Sequence, residues 1–82
     1  MPASFPFVLR PARVSDLDLT FAWANDPGVR AASFNQDPIE LEEHTAWFWS
    51  QMERIWDGDA LWWVLMGEGR PLGHIRFEWR IN

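Results

Sequence analysis

Apolar positions recur along the chain with two different periods, and the switches between them mark out the elements. Phe7-Val8-Leu9-Arg10 reads as a short strand stopped by Pro11. Ser15 then reads as an N-cap, with Asp18 three residues on completing a variant capping box. A helix follows to about Asn25, with Leu17, Phe21 and Ala24 on one stripe and Leu19 and Trp23 beside it. Asp26-Pro27-Gly28 ends it, because proline disfavours a helical residue before it and glycine loosens the chain. Val29 to Gln36 reads as a loop or a broken second turn.

A second helix start lies at Asp37-Pro38-x-Glu40, with a cap, proline at the first helical position and an acid at the third. From there to about Trp56, Leu41, Thr45, Phe48, Met52 and Ile55 share a face, flanked by His44, Trp47 and Gln51. Glu42, Glu43, Glu53 and Arg54 take the surface side, and Asp57-Gly58-Asp59 is a turn. Ala60 to Met66 is apolar on both faces, as a strand covered on both sides is. Gly67 to Pro71 makes a hairpin loop, and Leu72 to Asn82 alternates as a final strand. Ile75, Phe77, Trp79 and Ile81 point one way, and His74, Arg76, Glu78 and Arg80 the other. The order is β-α-α-β-β: an α+β fold of the α/β-sandwich type, with a mainly antiparallel sheet and two helices, as a single domain over 1–82. An amphipathic last strand with nothing after it leaves an unpaired edge at Leu72 to Asn82, so a truncated domain and a homodimer through that edge are expected.

Composition narrows the chemistry. Seven Arg, no Lys and twelve acids give a net charge of −5, against a protein that tracks nucleic-acid phosphates. Without Lys there is no Schiff-base or P-loop lysine, and without Cys no thiolate nucleophile or zinc-thiolate cluster. The cysteine-free chain fits the cytoplasm. No basic leader opens it, and its longest apolar run, Leu61 to Met66, is far short of the ~18 residues a membrane helix needs. Seven Trp and six Phe must pack, which excludes disorder.

Candidate sites are few. His44 and His74 stand thirty residues apart with no second histidine at metal-ligand spacing, so no metal site is expected. Gly67-x-Gly69-x-x-x-Gly73 has the wrong spacing for a phosphate loop and joins two strands. The pairs Asp16/Asp18, Glu42/Glu43 and Asp57/Asp59 sit at helix starts or in a turn, where acids cap. Trp23, Trp63 and Trp79 share faces with other apolar residues and read as core rather than ring-stacking platforms. Trp47 and Trp49 lie nearly opposite round a helix, so one of them is a surface or ligand contact. Phe34, set among Arg30, Ser33 and Asn35, makes the Val29 to Gln36 loop a candidate ligand contact.

Leu9-Arg10-Pro11-Ala12 before an acid-containing helix, then Trp23-Ala24-Asn25-Asp26-Pro27-x-Val29-Arg30, resembles the N-terminal half of a Gcn5-related N-acetyltransferase (GNAT). Ser33-Phe34-Asn35 and Pro38-Ile39-x-Leu41-Glu42-Glu43-His44-x-x-Trp47-Phe48 are similar to the branch that acetylates nucleotide-linked amino sugars in pseudaminic-acid-type polysaccharide pathways. Gly73-His74-Ile75-Arg76-Phe77 fits that fold's third strand, and the likeness runs from about Phe7 to Trp79. Ala24 departs from the family's usual Arg, and Glu40 from its usual small hydroxyl residue.

The resemblance implies direct transfer from acetyl-CoA to an amine. The family's pyrophosphate loop, splayed strand and late tyrosine have no counterpart in the residues, so no catalytic or cofactor-binding residue is assigned. The chain is expected to supply only the acceptor side, to bind no acetyl-CoA tightly and to be inactive alone. The resemblance makes Arg30, Phe34, Asn35, His44 and Trp47 the expected substrate contacts. Two further readings stay open: a non-catalytic remnant that self-associates or binds a partner, and a ribosomal-protein-type N-terminal acetyltransferase fragment.

Overall fold

The computed structural model describes residues 6–79. They form two compact units, one from residues 6–12 with 54–79 and the other from Arg13–Glu53.

The first unit is a three-stranded antiparallel sheet in the order β1 (Phe7–Pro11), β2 (Ala60–Gly67), β3 (Arg70–Glu78). Phe7 pairs with Gly67 and Pro11 with Trp63, while Ala60 pairs with Glu78 and Gly67 with Arg70. Glu68 and Gly69 link the last two strands, at φ of 53° and 76°. Positive φ at both central residues is the mirror-image turn whose twist suits a hairpin. The expected five-residue loop is therefore a two-residue turn, and β3 starts at Arg70 rather than Leu72. Its expected continuation through Arg80, Ile81 and Asn82 lies outside the described residues.

Because paired residues share a face, Leu9, Leu61, Trp63, Leu65, Ile75 and Phe77 lie on one side of this sheet. Ala60, Trp62 and Val64 lie on the other, and these three are buried. Gly67 is squeezed on the first side: a Cβ there would meet Leu72 Cδ1 at 2.5 Å and the Phe7 ring at 2.9 Å. Arg54 and Arg76 both pair with Glu78, at 3.1 and 3.3 Å.

The second unit is helical, with a 3-10 turn at Val14–Asp16, α1 (Leu17–Ala24), α2 (Pro27–Ala32) and all but the last turn of α3 (Leu41–Trp56). Asp16 takes the N-cap position of α1, one residue from the expected Ser15, and its carboxylate accepts from the Arg13 N–H at 2.9 Å, closing the 3-10 turn. Asp26 and Pro27 close α1 and also open α2. The Asp26 carboxylate accepts from the N–H groups of Gly28 (3.0 Å) and Val29 (3.4 Å), and Pro27 takes the first helical position, where no N–H is needed. The described residues thus hold three α-helices where two were expected, in the same α+β class, consistent with part of a GNAT fold.

Residues 37–40 stay outside α3 because Asn25 grips them. Its amide donates to the Ile39 carbonyl at 2.9 Å and accepts from the Ile39 N–H at 2.7 Å. The buried residues of α3 are His44, Phe48, Gln51 and Met52. Two of these were expected on the flank, and Leu41, expected on the buried face, is exposed. Trp79, read as core, is 46% exposed.

Candidate functional site

Thr20 and His44 organise the helical unit. The Thr20 hydroxyl has one proton, which the carbonyls of Asp16 (2.9 Å) and Leu17 (3.1 Å) compete to accept. Its oxygen therefore accepts from His44 Nε2–H, 3.0 Å away. This leaves the lone pair of a neutral imidazole on Nδ1. Burial pushes the His44 pKa below its ordinary value, with the Leu17 carbonyl opposing in part. The ring also packs near Phe21 and Trp47, at centroid distances of 5.3 and 5.5 Å.

His44 and Trp47 line a cavity of about 310 Å³ within this unit, with Ala24, Val29, Arg30, Ile39 and Glu43. That volume suits a small ligand or one end of a larger one. Three of the five expected contacts, Arg30, His44 and Trp47, thus come together. Phe34 projects fully into solvent and is not among the lining residues, and neither is Asn35. The Asn35 side chain accepts from the Asp37 N–H at 2.9 Å, shaping the loop.

Arg30 does structural work as well. Its Nε donates to the Ala24 carbonyl at 2.7 Å, and its terminal nitrogens reach Asn35 O (3.1 Å), Asp37 O (3.4 Å) and Ser33 Oγ (3.3 Å). The guanidinium fork is turned onto the loop, so it sets the cavity wall more than it offers charge to a ligand. Ala24, Val29, Ile39 and Glu43 were not expected from the sequence as substrate contacts. Glu43 carried a signal, one residue from His44 and one turn from Trp47, but read as a surface acid.

An acid, an unprotonated imidazole nitrogen and an indole around an apolar floor suit an amine. Glu43 attracts the cation, Trp47 offers a π face, and Nδ1 can take a hydrogen bond or a proton. Among the described residues, no group of three His, Cys, Asp or Glu could hold a metal. No helix of the described residues is long and apolar enough to cross a membrane.

GNAT enzymes draw on acetyl-CoA, but the described residues do not fit its pyrophosphate. The paired glycines lie in a hairpin turn with no helix after it, and the first turn of α3 carries Glu42 and Glu43, which repel an anion. No curated protein matches the chain. The family model described as an acetyltransferase (GNAT) domain matches residues 7–82, and the chain belongs to that family.

Proposed function

We propose that the cavity beside His44 receives the amine that a GNAT-type N-acetylation modifies. The observation that carries this reading is the pairing of Glu43 and a neutral-held His44 in one cavity with Trp47. An amine attacks a thioester only after losing its proton, and Nδ1 of His44 is an acceptor for that proton while Glu43 holds the ammonium form beforehand. Arg30 keeps the loop wall in place. Acetyl-CoA is the acetyl donor of the family; the chain by itself supplies the acceptor side and transfers no acetyl group.

The acceptor is a nucleotide-linked amino sugar, and the chain works in the cytoplasm. Support for the sugar comes from the Ser33-Phe34-Asn35 and Glu42-Glu43-His44-x-x-Trp47-Phe48 segments, and in this reading Phe34 and Asn35 meet parts of the substrate outside the cavity. Titration of the chain with a UDP-4-amino sugar, followed through the Trp47 indole and His44 ring signals by NMR, tests the site. Both signals are expected to move, and to move little with the same sugar already N-acetylated. Equal shifts for both sugars, or none, overturn the amine reading. Shifts with an amino-terminal peptide but not with the sugar favour the ribosomal-protein-type reading. Acetyl transfer by the isolated chain overturns its inactivity alone.

A further inference from the structure

Thr20 is a buried hydroxyl with three polar neighbours. Its oxygen lies 2.9 Å from the Asp16 carbonyl, 3.1 Å from the Leu17 carbonyl and 3.0 Å from His44 Nε2, and the residue is 2% exposed. Asp16 meets Thr20 through its carbonyl, while its carboxylate accepts from the Arg13 N–H. The imidazole is held by its plane as well. Phe21, Trp47 and Phe48 surround it at centroid distances of 5.3, 5.5 and 6.2 Å, and Phe48 is fully buried. A ring wedged among three aromatic rings does not turn over without displacing them, so the nitrogen that meets Thr20 stays Nε2.

We infer that Thr20 is the positioning residue of the His44 cavity: with the Asp16 and Leu17 carbonyls it forms a neutral dipole chain that keeps the imidazole proton on Nε2 and leaves Nδ1 as the proton acceptor. This rests on the amine reading of the cavity and adds the residue that prepares His44 for it. A carbonyl only accepts, so the one hydroxyl proton goes to Asp16 or Leu17, and Nε2–H donates to the hydroxyl oxygen.

The chain of dipoles also bears on the proton transfer. When an ammonium group gives its proton to Nδ1, its N–H bond breaks, the electron pair stays on the amine nitrogen and an Nδ1–H bond forms. The ring becomes an imidazolium, and its bond from Nε2–H to Thr20 becomes charge-assisted and stronger. The upward pull of the Leu17 carbonyl on the His44 pKa has the same sense. The imidazolium then returns its proton to water. A carboxylate in place of Thr20 would favour the cationic ring from the start, whereas a hydroxyl supports the cation only once it forms. Of the charged groups lining the cavity, Arg30 is turned onto the loop carbonyls and Glu43 attracts the ammonium.

Nitrogen-15 NMR of the ligand-free chain in mildly alkaline solution reads the tautomer, because protonated and unprotonated ring nitrogens resonate far apart. Nε2 of His44 is expected in the protonated range and Nδ1 in the unprotonated range. Thr20→Val should draw the two resonances together as the other tautomer becomes populated, and Thr20→Ser should restore the wild-type pattern. Affinity for the UDP-4-amino sugar should fall about tenfold in Thr20→Val and stay near wild type in Thr20→Ser. Should the valine variant unfold, a slowly exchanging Nε2 proton with a contact to the Thr20 β-proton in the wild type carries the test, and its absence overturns the inference. A proton on Nδ1 in the wild type, or a tautomer and affinity that Thr20→Val leaves unchanged, overturns it too. The two readings fail separately. Binding of the amino sugar with a tautomer indifferent to Thr20 removes the positioning role alone. A Thr20-dependent tautomer with no response to the sugar overturns the amine reading, and with it the use of Nδ1 as acceptor.

Discussion

Two histidines hold their neutral form for different geometric reasons, and this ties the protein's stability to pH. The indole N–H of Trp62 can only donate, so His74 Nδ1, 2.8 Å away, must be unprotonated. Adding a proton to His74 fills that nitrogen and breaks the bond. Burial, and then the charge of Arg76, keeps the His74 pKa below its ordinary 6.5, and burial does the same for His44. With folded values below the unfolded one, the unfolded chain takes up protons first as pH falls. This stability is fully present above pH 6.5 and is lost as pH drops through the folded values. The thermal midpoint is expected to fall as the pH goes from 7 to 5, and the double variant His44→Gln, His74→Gln should flatten that slope. An unchanged slope in the double variant would assign the loss to carboxylates instead. Thr20 gives a second residue-level test. Thr20→Val keeps the shape but takes the acceptor from His44 Nε2–H, and should cost about 1–3 kcal/mol in urea denaturation, whereas Thr20→Ser should retain most of it.

At the scale of elements, the β2–β3 turn carries a local misfit. Glu68 sits at φ 53°, a conformation that asparagine tolerates better than glutamate. Glu68→Asn creates the Asn-Gly pair preferred in such turns and should raise stability by about 0.5–1 kcal/mol, read as a higher melting temperature with an unchanged far-ultraviolet spectrum. The hairpin itself was readable because glycines punctuate two period-2 runs, and α3 because its apolar residues recur over four turns. Two things were not readable. Asp26-Pro27 carries a stop and a start on the same residues: proline ends α1 and then occupies the one helical position where its missing N–H costs nothing, so a short helix hid in what read as a loop. The place of His44 inside the fold depends on Thr20, which lies 24 residues away, and no local pattern joins them. The cavity followed the same rule. His44 and Trp47 were visible as flank residues of a helix and Arg30 as a loop cation, but the carbonyls that take up Arg30 exist only once residues 24–37 have folded. The Asn25 clamp is a further case, testable by Asn25→Asp. The carboxylate still accepts from the Ile39 N–H but cannot donate to its carbonyl, so amide exchange in residues 37–41 should quicken with little change in the sheet's amides.

At the scale of the whole molecule, charge and apolar burial pull in opposite directions. The chain carries −5 at pH 7, and folding gathers that charge into a smaller volume. The repulsion comes from acids such as Glu42, Glu43, Glu53, Asp57 and Asp59, which salt screens, while the burial of Phe48, Met52, Trp62 and Val64 is not screened. Raising sodium chloride from about 0.01 M, where the screening length is ~30 Å, to 0.15 M, where it is ~8 Å, should therefore raise the melting temperature. Sulfate should raise it further, because it strengthens apolar burial as well as screening charge. A fold held chiefly by exposed ion pairs such as Arg54 with Glu78 behaves the other way and loses stability with salt. Thermal melts at three salt concentrations separate the two: a melting temperature that falls with sodium chloride would place the stability on ion pairs rather than on apolar burial.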